Sequence, residues 1–113
     1  MMYLGDFAAN ATVDFKWNTN TSAGASVTRA TNGNIRIYKA NSATQRTSAN
    51  GITDTEDFDS LTGVHHLRID TADNTDAGFY AAGSDYQVVL EGAVIDGQTV
   101  NAVLAHFSIA NRT

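Results

Sequence analysis

The stretch Val64–Leu90, VHHLRIDTADNTDAGFYAAGSDYQVVL, contains two candidate strands separated by a polar corner. Leu67 and Ile69 alternate with polar residues in its first part, and Val88 and Leu90 continue an alternating pattern in its last part. Alternation with a period of two is typical of a strand that buries one face. The residues between them are mostly small and polar turn formers. The stretch therefore predicts a strand, a tight corner and a second strand, on which the rest of the chain packs.

Three further segments show the same alternation. They are TVDFKWNT at Thr12–Thr19, NIRIYK at Asn34–Lys39 and VNAVLAHFSI at Val100–Ile109, where Val103 is expected on the same face as Phe107. Alternating apolar residues point to one side of a strand and form the core. The predicted core residues are Val13, Phe15, Trp17, Ile35, Ile37, Leu67, Ile69, Val88, Leu90 and Phe107.

Turn-forming dipeptides separate these segments. Asn32-Gly33, Asn50-Gly51 and Asp96-Gly97 are all dipeptides favoured in tight hairpins, where both central residues need positive φ. No segment has a sustained helical period of 3.6 residues, and no linker or internal repeat divides the chain. The sequence predicts one all-β domain over residues 1–113, an antiparallel β-sandwich of six or seven strands.

Composition excludes several classes of protein. The 113-residue chain has no cysteine, so disulfides, cysteine-based zinc sites and thiol nucleophiles are ruled out. Its formal net charge of −5 argues against nucleic-acid binding, which needs a basic surface. The sequence contains no apolar run of membrane-spanning length and no secretory pattern near its first residue. We therefore expect neither a nucleic acid nor a membrane as partner.

No catalytic motif accompanies the serines, histidines and carboxylates, so the sequence predicts a non-enzymatic protein without a cofactor. His65 and His66 are adjacent on a strand and must face opposite sides of the sheet, which favours structural or surface roles over shared chelation. Whether His106 approaches either of them is left open by the sequence.

No metal site is predicted, although two acidic segments contain hard oxygen ligands of the kind that calcium prefers. The candidate calcium ligands are Asp70, Asp73 and Asp76, spaced three apart in the corner. The stretch from Asp54 to Asp59 is the second candidate. Asp and Asn are also ordinary turn formers, and this role is the favoured interpretation of both segments.

Aromatic residues and the first ten residues are the candidate binding elements. Tyr3, Tyr38, Tyr86 and Trp17 would form a sugar-stacking platform if exposed, but Trp17 and Tyr86 are in register with core positions. The segment 1–10, in which Tyr3, Leu4 and Phe7 are apolar, is expected either to cover the edge of its own sandwich or to dock on a neighbouring subunit.

The corner also contains a short sequence motif. Asp76, Gly78 and Tyr80 form a D-x-G-x-Y pattern that resembles the tyrosine corner of immunoglobulin-like sandwiches, where a Tyr at the start of a strand bonds to upstream backbone. Ala82 stands two residues after the Tyr, at a position that is often Cys in antibody-type domains. The resemblance implies an Ig-like sandwich without a disulfide.

The layout of the whole chain resembles a group of small β-sandwich proteins of tailed bacteriophages and prophages. The similarity rests on YLGDF at Tyr3–Phe7, TVDFKWNT, DFDSLTGVHHLRIDT at Asp57–Thr71 and AGFYAAGSDYQVVL at Ala77–Leu90, with HFSIANR at His106–Arg112 as the closing stretch.

The resemblance implies a virion protein assembled in the bacterial host cytoplasm. The expected role is a capsid decoration protein docked on the major capsid protein. The alternatives are a tail, neck or baseplate accessory, or a carbohydrate-binding module on the virion surface. Self-association is a further option. The expected interface residues are Tyr3, Leu4, Phe7, Asn111 and Arg112.

Overall fold

The computed structural model of the protein describes residues 2–43 and 49–110. Within them the chain forms seven strands and one 3₁₀ turn, at Phe58–Ser60. Part of the polar segment 41–48 and the predicted interface residues Asn111 and Arg112 lie outside the described residues. The strands are β1 (Met2–Phe7), β2 (Thr12–Asn18), β3 (Asn34–Lys39), β4 (Ile52–Thr55), β5 (Val64–Asp70), β6 (Ser84–Ile95) and β7 (Gln98–Ile109).

The strands form two sheets, a four-stranded sheet in the order β1-β7-β6-β3 and a three-stranded sheet in the order β2-β5-β4. This arrangement is that of immunoglobulin-like domains, which place β2, β5 and β4 in one sheet and β3, β6 and β7 in the other. The predicted Ig-like sandwich without a disulfide is confirmed.

One strand pair departs from the antiparallel pattern, since β1 runs parallel to β7, whereas the other described strand pairs are antiparallel. The chain crosses from one sheet to the other between β1 and β2. β1 therefore pairs with the last strand, which runs in the same direction, instead of with β2.

The interior is filled by the inward-facing residues of both sheets. Nine of the ten predicted core residues are buried, and Ile35 is partly buried against them. The aromatic centre of the core is Tyr86, whose ring stacks on Phe107 with centroids 5.2 Å apart. Tyr86, which the alternation also places inward, is buried, and the further buried apolar residues are Ala93, Ala105 and Ile109.

Val103 departs from the predicted face of the last strand and is 47% exposed. The register between β6 and β7 shifts at this point, from Val88 opposite Ala105 to Val89 opposite Val103. Leu104 is the extra residue of a β-bulge, which reverses the alternation on its N-terminal side. A one-residue slip turns Val103 to the outside.

The tyrosine corner exists, but a different tyrosine forms it. The hydroxyl of Tyr86, the third residue of β6, donates to the carbonyl of Phe79 at 2.7 Å and accepts from the amide of Ala81 at 2.7 Å. Tyr80 lies before the strand, with its ring 5.6 Å from that of Tyr86. The D-x-G-x-Y segment is the turn preceding β6, so its tyrosine precedes the strand.

The corner residues Asp76 and Gly78 belong to that turn. The carbonyl of Asp76 accepts from the amide of Phe79 at 3.1 Å, and Gly78 has a φ of +78°. A glycine adopts this left-handed conformation without steric cost, which explains its place at the turn.

Candidate functional site

A buried arginine organises a cluster of charged side chains. Arg29 comes from the long connection between β2 and β3, and its side chain is fully buried. Its guanidinium donates twice to Asp54, at 2.9 Å each, and once to the carbonyl of Asn32 at 2.9 Å. Its Nε lies 2.7 Å from Glu56 Oε2, close enough for an ion pair but without hydrogen-bond alignment. The guanidinium also covers the Trp17 ring at 4.7 Å.

His65 extends this cluster into the core. Its Nε2 lies 2.8 Å from the Thr19 hydroxyl, which itself donates to the carbonyl of Val27. That hydroxyl therefore accepts from His65, and Nδ1 accepts from the Asp57 amide at 3.3 Å. Burial, together with the nearby positive charge of Arg29, lowers the pKa of His65 below its ordinary value. Burial therefore favours the neutral imidazole, and its hydrogen bonds place the proton on Nε2.

Three potential metal ligands converge beside this arginine. One ligand atom from each of Glu56, Asp57 and His65 lies within 4.8 Å of the others. Both Asp57 carboxylate oxygens already accept hydrogen bonds, at 2.6 and 2.8 Å, and Glu56 faces the Arg29 guanidinium. The Arg29 guanidinium already supplies the positive charge that balances these carboxylates, as a bound cation would. This arrangement has the chemistry of a buried structural network.

The predicted calcium ligands are not brought together among the described residues. The Asp70 carboxylate accepts from the Ala72 amide at 3.0 Å, and the Asp73 carboxylate accepts from the Thr75 amide at 3.0 Å. These are local turn bonds of the kind that Asp makes with backbone two residues later. The third predicted ligand, Asp76, contributes its carbonyl to the turn before β6.

The outer face of the three-stranded sheet carries a second polar network, centred on His66. Its Nε2 lies 2.9 Å from Asp14, and its Nδ1 lies 3.1 Å from the Lys16 ammonium. Asp14 also accepts from Arg68 at 2.8 Å, and this contact holds the pKa of the Asp14 carboxyl below its usual range. Lys16 lies 4.2 Å from the centre of the Phe58 ring.

A shallow groove crosses this face, lined by Thr53, Thr55, Phe58, His66 and Arg68. The charged groups along it are mostly satisfied by one another. The groups that the groove presents to a ligand are therefore mainly the threonine hydroxyls and the Phe58 ring.

The outer face of the four-stranded sheet presents a row of larger side chains. Strand register places Tyr3 opposite His106, His106 opposite Gln87 and Gln87 opposite Tyr38. Directly paired residues point to the same face of a sheet, so the four side chains form one row across all four strands. Two of the four residues considered for a sugar platform share this row, while Trp17 and Tyr86 lie in the core.

The three histidines are thus kept apart. His65 faces the interior, His66 faces outward from the three-stranded sheet, and His106 faces outward from the four-stranded sheet. The expected opposite orientation of the adjacent pair holds because successive residues of a strand face opposite sides.

The N-terminal strand covers one edge of its own sandwich. Leu4 and Phe7 pack against the core, and Phe7 meets Phe107 edge-on with centroids 6.1 Å apart. Asp6 accepts from the Ser108 hydroxyl at 2.6 Å. Tyr3 is 59% exposed, and no described strand pairs with the outer edge of β1.

The sequence pattern does not predict that Arg29 is buried or that Gln87 lies between aromatic side chains on the sheet. Arg29 lies in a polar connection without periodicity, so nothing in the pattern indicates burial. Gln87 occupies an ordinary outward position, and only the sheet order gives it aromatic neighbours.

Comparison of the chain with protein-family models, with curated proteins and with solved structures gives no match. Among the residues that the structure describes, no helix is long and apolar enough to cross a membrane.

Proposed function

We propose that this chain is a non-enzymatic virion structural protein of a tailed bacteriophage, specifically a capsid decoration protein that docks by protein–protein contacts. Its partners are other virion proteins, foremost the major capsid protein, and it is located in the virion after assembly in the bacterial host cytoplasm. The sequence resemblance to small phage β-sandwich proteins supports the class. Fold alone does not specify this role.

The observation that carries the docking step is the edge strand β1. Its inner edge is paired with β7, and no other described strand covers its outer edge. A strand with an open edge can accept a strand from another chain, with main-chain hydrogen bonds as the main attraction. Met2 and Tyr3 place partly exposed apolar surface, 37% and 59% exposed, at the start of this edge.

The contributions of the expected interface residues differ. Leu4 and Phe7 hold β1 on its own core, so their part in docking is to keep the edge in place. Tyr3 is exposed and is the described side chain available to a partner from this set. Deleting the segment before Ala8 would remove core contacts as well as the edge, and it is therefore an unsuitable test.

Copy number on purified particles tests the proposal. Quantitative mass spectrometry should find this chain in hundreds of copies per particle. A dozen copies or fewer would assign it to the neck, tail or baseplate, and its absence from particles would refute a virion role.

Charged substitutions at the edge test the docking strand. The double variant Met2→Lys/Tyr3→Lys should reduce particle occupancy strongly, because charge at an edge strand opposes strand addition. Leu61→Lys is the matched control, since Leu61 is 55% exposed and lies in the connection leading to β5. Equal occupancy of both variants, with unchanged melting temperatures, would show that β1 is not the docking edge.

A further inference from the structure

We propose that the outer face of the four-stranded sheet binds a neutral oligosaccharide, with Tyr3 and Tyr38 as stacking residues at the two ends of the site. This site shares Tyr3 with the proposed docking edge, whereas Tyr38 lies at the opposite edge of the sheet, so variants of Tyr38 separate sugar binding from docking.

The site is built by strand register. The row Tyr3, His106, Gln87 and Tyr38 crosses the sheet from β1 through β7 and β6 to β3. With neighbouring strands about 4.8 Å apart, the row spans roughly 14 Å, the length of a short oligosaccharide. Each residue of the row is at least partly accessible. By contrast, the two neighbours of Gln87 in the chain, which are Tyr86 and Val88, are buried.

The end residues offer aromatic surface. Tyr3 is 59% exposed, and its ring lies 4.6 Å from the His106 ring at an interplanar angle of 39°. The Tyr38 hydroxyl accepts from Arg36 at 3.3 Å, which limits the positions of the Tyr38 side chain. Aromatic rings with a polar tip provide apolar contact to the C–H face of a sugar ring while remaining wetted at one end.

Hydrogen-bonding groups lie between these rings. The Gln87 amide has two N–H donors and a carbonyl acceptor. The Nδ1 of His106 is buried, so Nε2 is the ring nitrogen of His106 that is the candidate contact for a ligand. Ligand sites with apolar walls and a few placed polar groups suit molecules that combine C–H faces with hydroxyls, as sugars do.

Charge selects a neutral ligand. On one side of the row, Arg36 and Glu91 face each other at 3.5 Å and carry opposite charges. On the other side, strand register places Asp85 and Asp6 next to Ser108, so the charge around the row is negative in excess. The chain as a whole has a formal net charge of −5. A nucleic acid or an anionic membrane surface would need an excess of positive charge here. An uncharged polyhydroxylated ligand has no such requirement.

A second copy of the chain fits this face less well. The apolar residues next to the row, Val89 and Val103, sit opposite each other on β6 and β7 and are flanked by Arg36 and Gln87. Stable protein interfaces have a larger apolar centre within about 800 Å² per partner. A shallow face with scattered apolar groups suits a small flexible ligand better.

Affinity electrophoresis tests the proposal with the purified full chain. Native gels would contain a neutral β-glucan, an α-mannan, a galactan or, as an acidic comparison, hyaluronate. A glycan array run in parallel widens the set of neutral sugars. We expect retardation by at least one neutral polysaccharide and confirmation by calorimetric titration with the matching hexasaccharide.

Variants locate the site. Tyr3→Ala and Tyr38→Ala should each weaken binding about tenfold or more. Leu61→Ala removes a similarly exposed apolar side chain, 55% exposed, away from this face and should leave binding unchanged. Thermal melts check folding. If Tyr38→Ala does not fold, Tyr3→Ala and Gln87→Ala decide the result.

Four results would overturn the inference. They are no retardation by any neutral polysaccharide or array sugar, retardation by hyaluronate alone, equal binding by the tyrosine variants and wild type, or a dimer in sedimentation that Tyr38→Ala dissociates. The last result would make the face a self-association surface. Tyr38 lies at the sheet edge opposite β1, so Tyr38→Ala should keep wild-type particle occupancy even when sugar binding is lost. Failure of either proposal is therefore visible separately.

Discussion

The hydroxyl of Tyr86 donates to the carbonyl oxygen of Phe79 at 2.7 Å and fastens the start of β6 to the turn that precedes it. The same oxygen accepts from the amide of Ala81 at 2.7 Å, so one buried hydroxyl satisfies two backbone groups. Buried polar groups left without a partner are costly, and this pair of bonds fixes where the strand begins.

Removing that hydroxyl should destabilise the fold. We expect Tyr86→Phe to lower the free energy of unfolding by about 1–3 kcal/mol, because a backbone donor and acceptor lose their shared partner. Urea unfolding followed by tryptophan fluorescence measures this change. Tyr3→Phe, on an exposed tyrosine, should stay within about 0.5 kcal/mol of wild type. Similar losses in both variants would contradict the role assigned to the corner.

The buried arginine should matter far more than an exposed one. Arg29→Ala leaves Asp54 and Glu56 without their counter-charge in a largely buried place, and we expect a loss of about 3–5 kcal/mol. Arg36→Ala removes a solvent-accessible ion pair with Glu91 and should leave the urea midpoint close to that of wild type. Urea midpoints of the two variants compare them, and a loss below about 1 kcal/mol for Arg29→Ala would show that the network contributes little.

His65 should make stability depend on pH. Its pKa in the folded state is lowered by burial and by Arg29, so below its ordinary value of about 6.5 the unfolded chain binds a proton that the folded chain does not. Stability from this group is complete above pH 6.5 and is lost as pH falls toward the folded pKa. The slope from this single group cannot exceed about 1.4 kcal/mol per pH unit.

Unfolding free energies between pH 7.5 and 5 measure this dependence. His65→Gln should be less stable at neutral pH and should lack this part of the slope. NMR titration of the His65 ring in the wild-type protein provides the direct check, and an apparent pKa above 6.5 would overturn the assignment.

Two glycines with the same backbone conformation should respond differently to alanine. Gly33 and Gly97 have φ of +78° and +75°, but a Cβ at Gly33 would lie 2.8 Å from backbone atoms of Glu91 and Ala93. Gly97 has open space around it. We expect Gly97→Ala to cost about 1–2 kcal/mol from backbone strain alone, and Gly33→Ala roughly 1–3 kcal/mol more from overpacking. Thermal unfolding of both variants measures the difference; equal losses would mean that the chain near Gly33 shifts freely.

These glycines also show how much of the fold a turn dipeptide can predict. Asp96 and Gly97 both have positive φ and join β6 to β7 in the tight hairpin that their dipeptide predicts. Asn32-Gly33 is an equally favourable dipeptide, yet it lies where the chain enters β3 and approaches β6 of the same sheet. A turn dipeptide specifies a local bend, and strand pairing specifies what that bend connects.

The candidate binding surfaces also show which features local sequence predicts and which depend on strand pairing. Alternation correctly predicts that Trp17 and Tyr86 face inward, because each is in step with apolar neighbours on its own strand. It does not predict the outward row, since Tyr3 and Tyr38 lie on strands at opposite edges of the sheet and share one row only through sheet order. It also misplaced Val103, because the bulge at Leu104 has no distinctive residue.

The all-β class, the absence of disulfides, the inward face of most strands and the β6–β7 hairpin could all be predicted from the sequence, because they depend on composition and on neighbours a few residues apart. Tertiary structure decided the parallel pairing of β1 with β7, the choice of Tyr86 for the corner and the burial of Arg29. Each of these joins residues that are distant in sequence or selects among similar candidates. Their outcome follows from which arrangement satisfies the buried polar groups and closes the core.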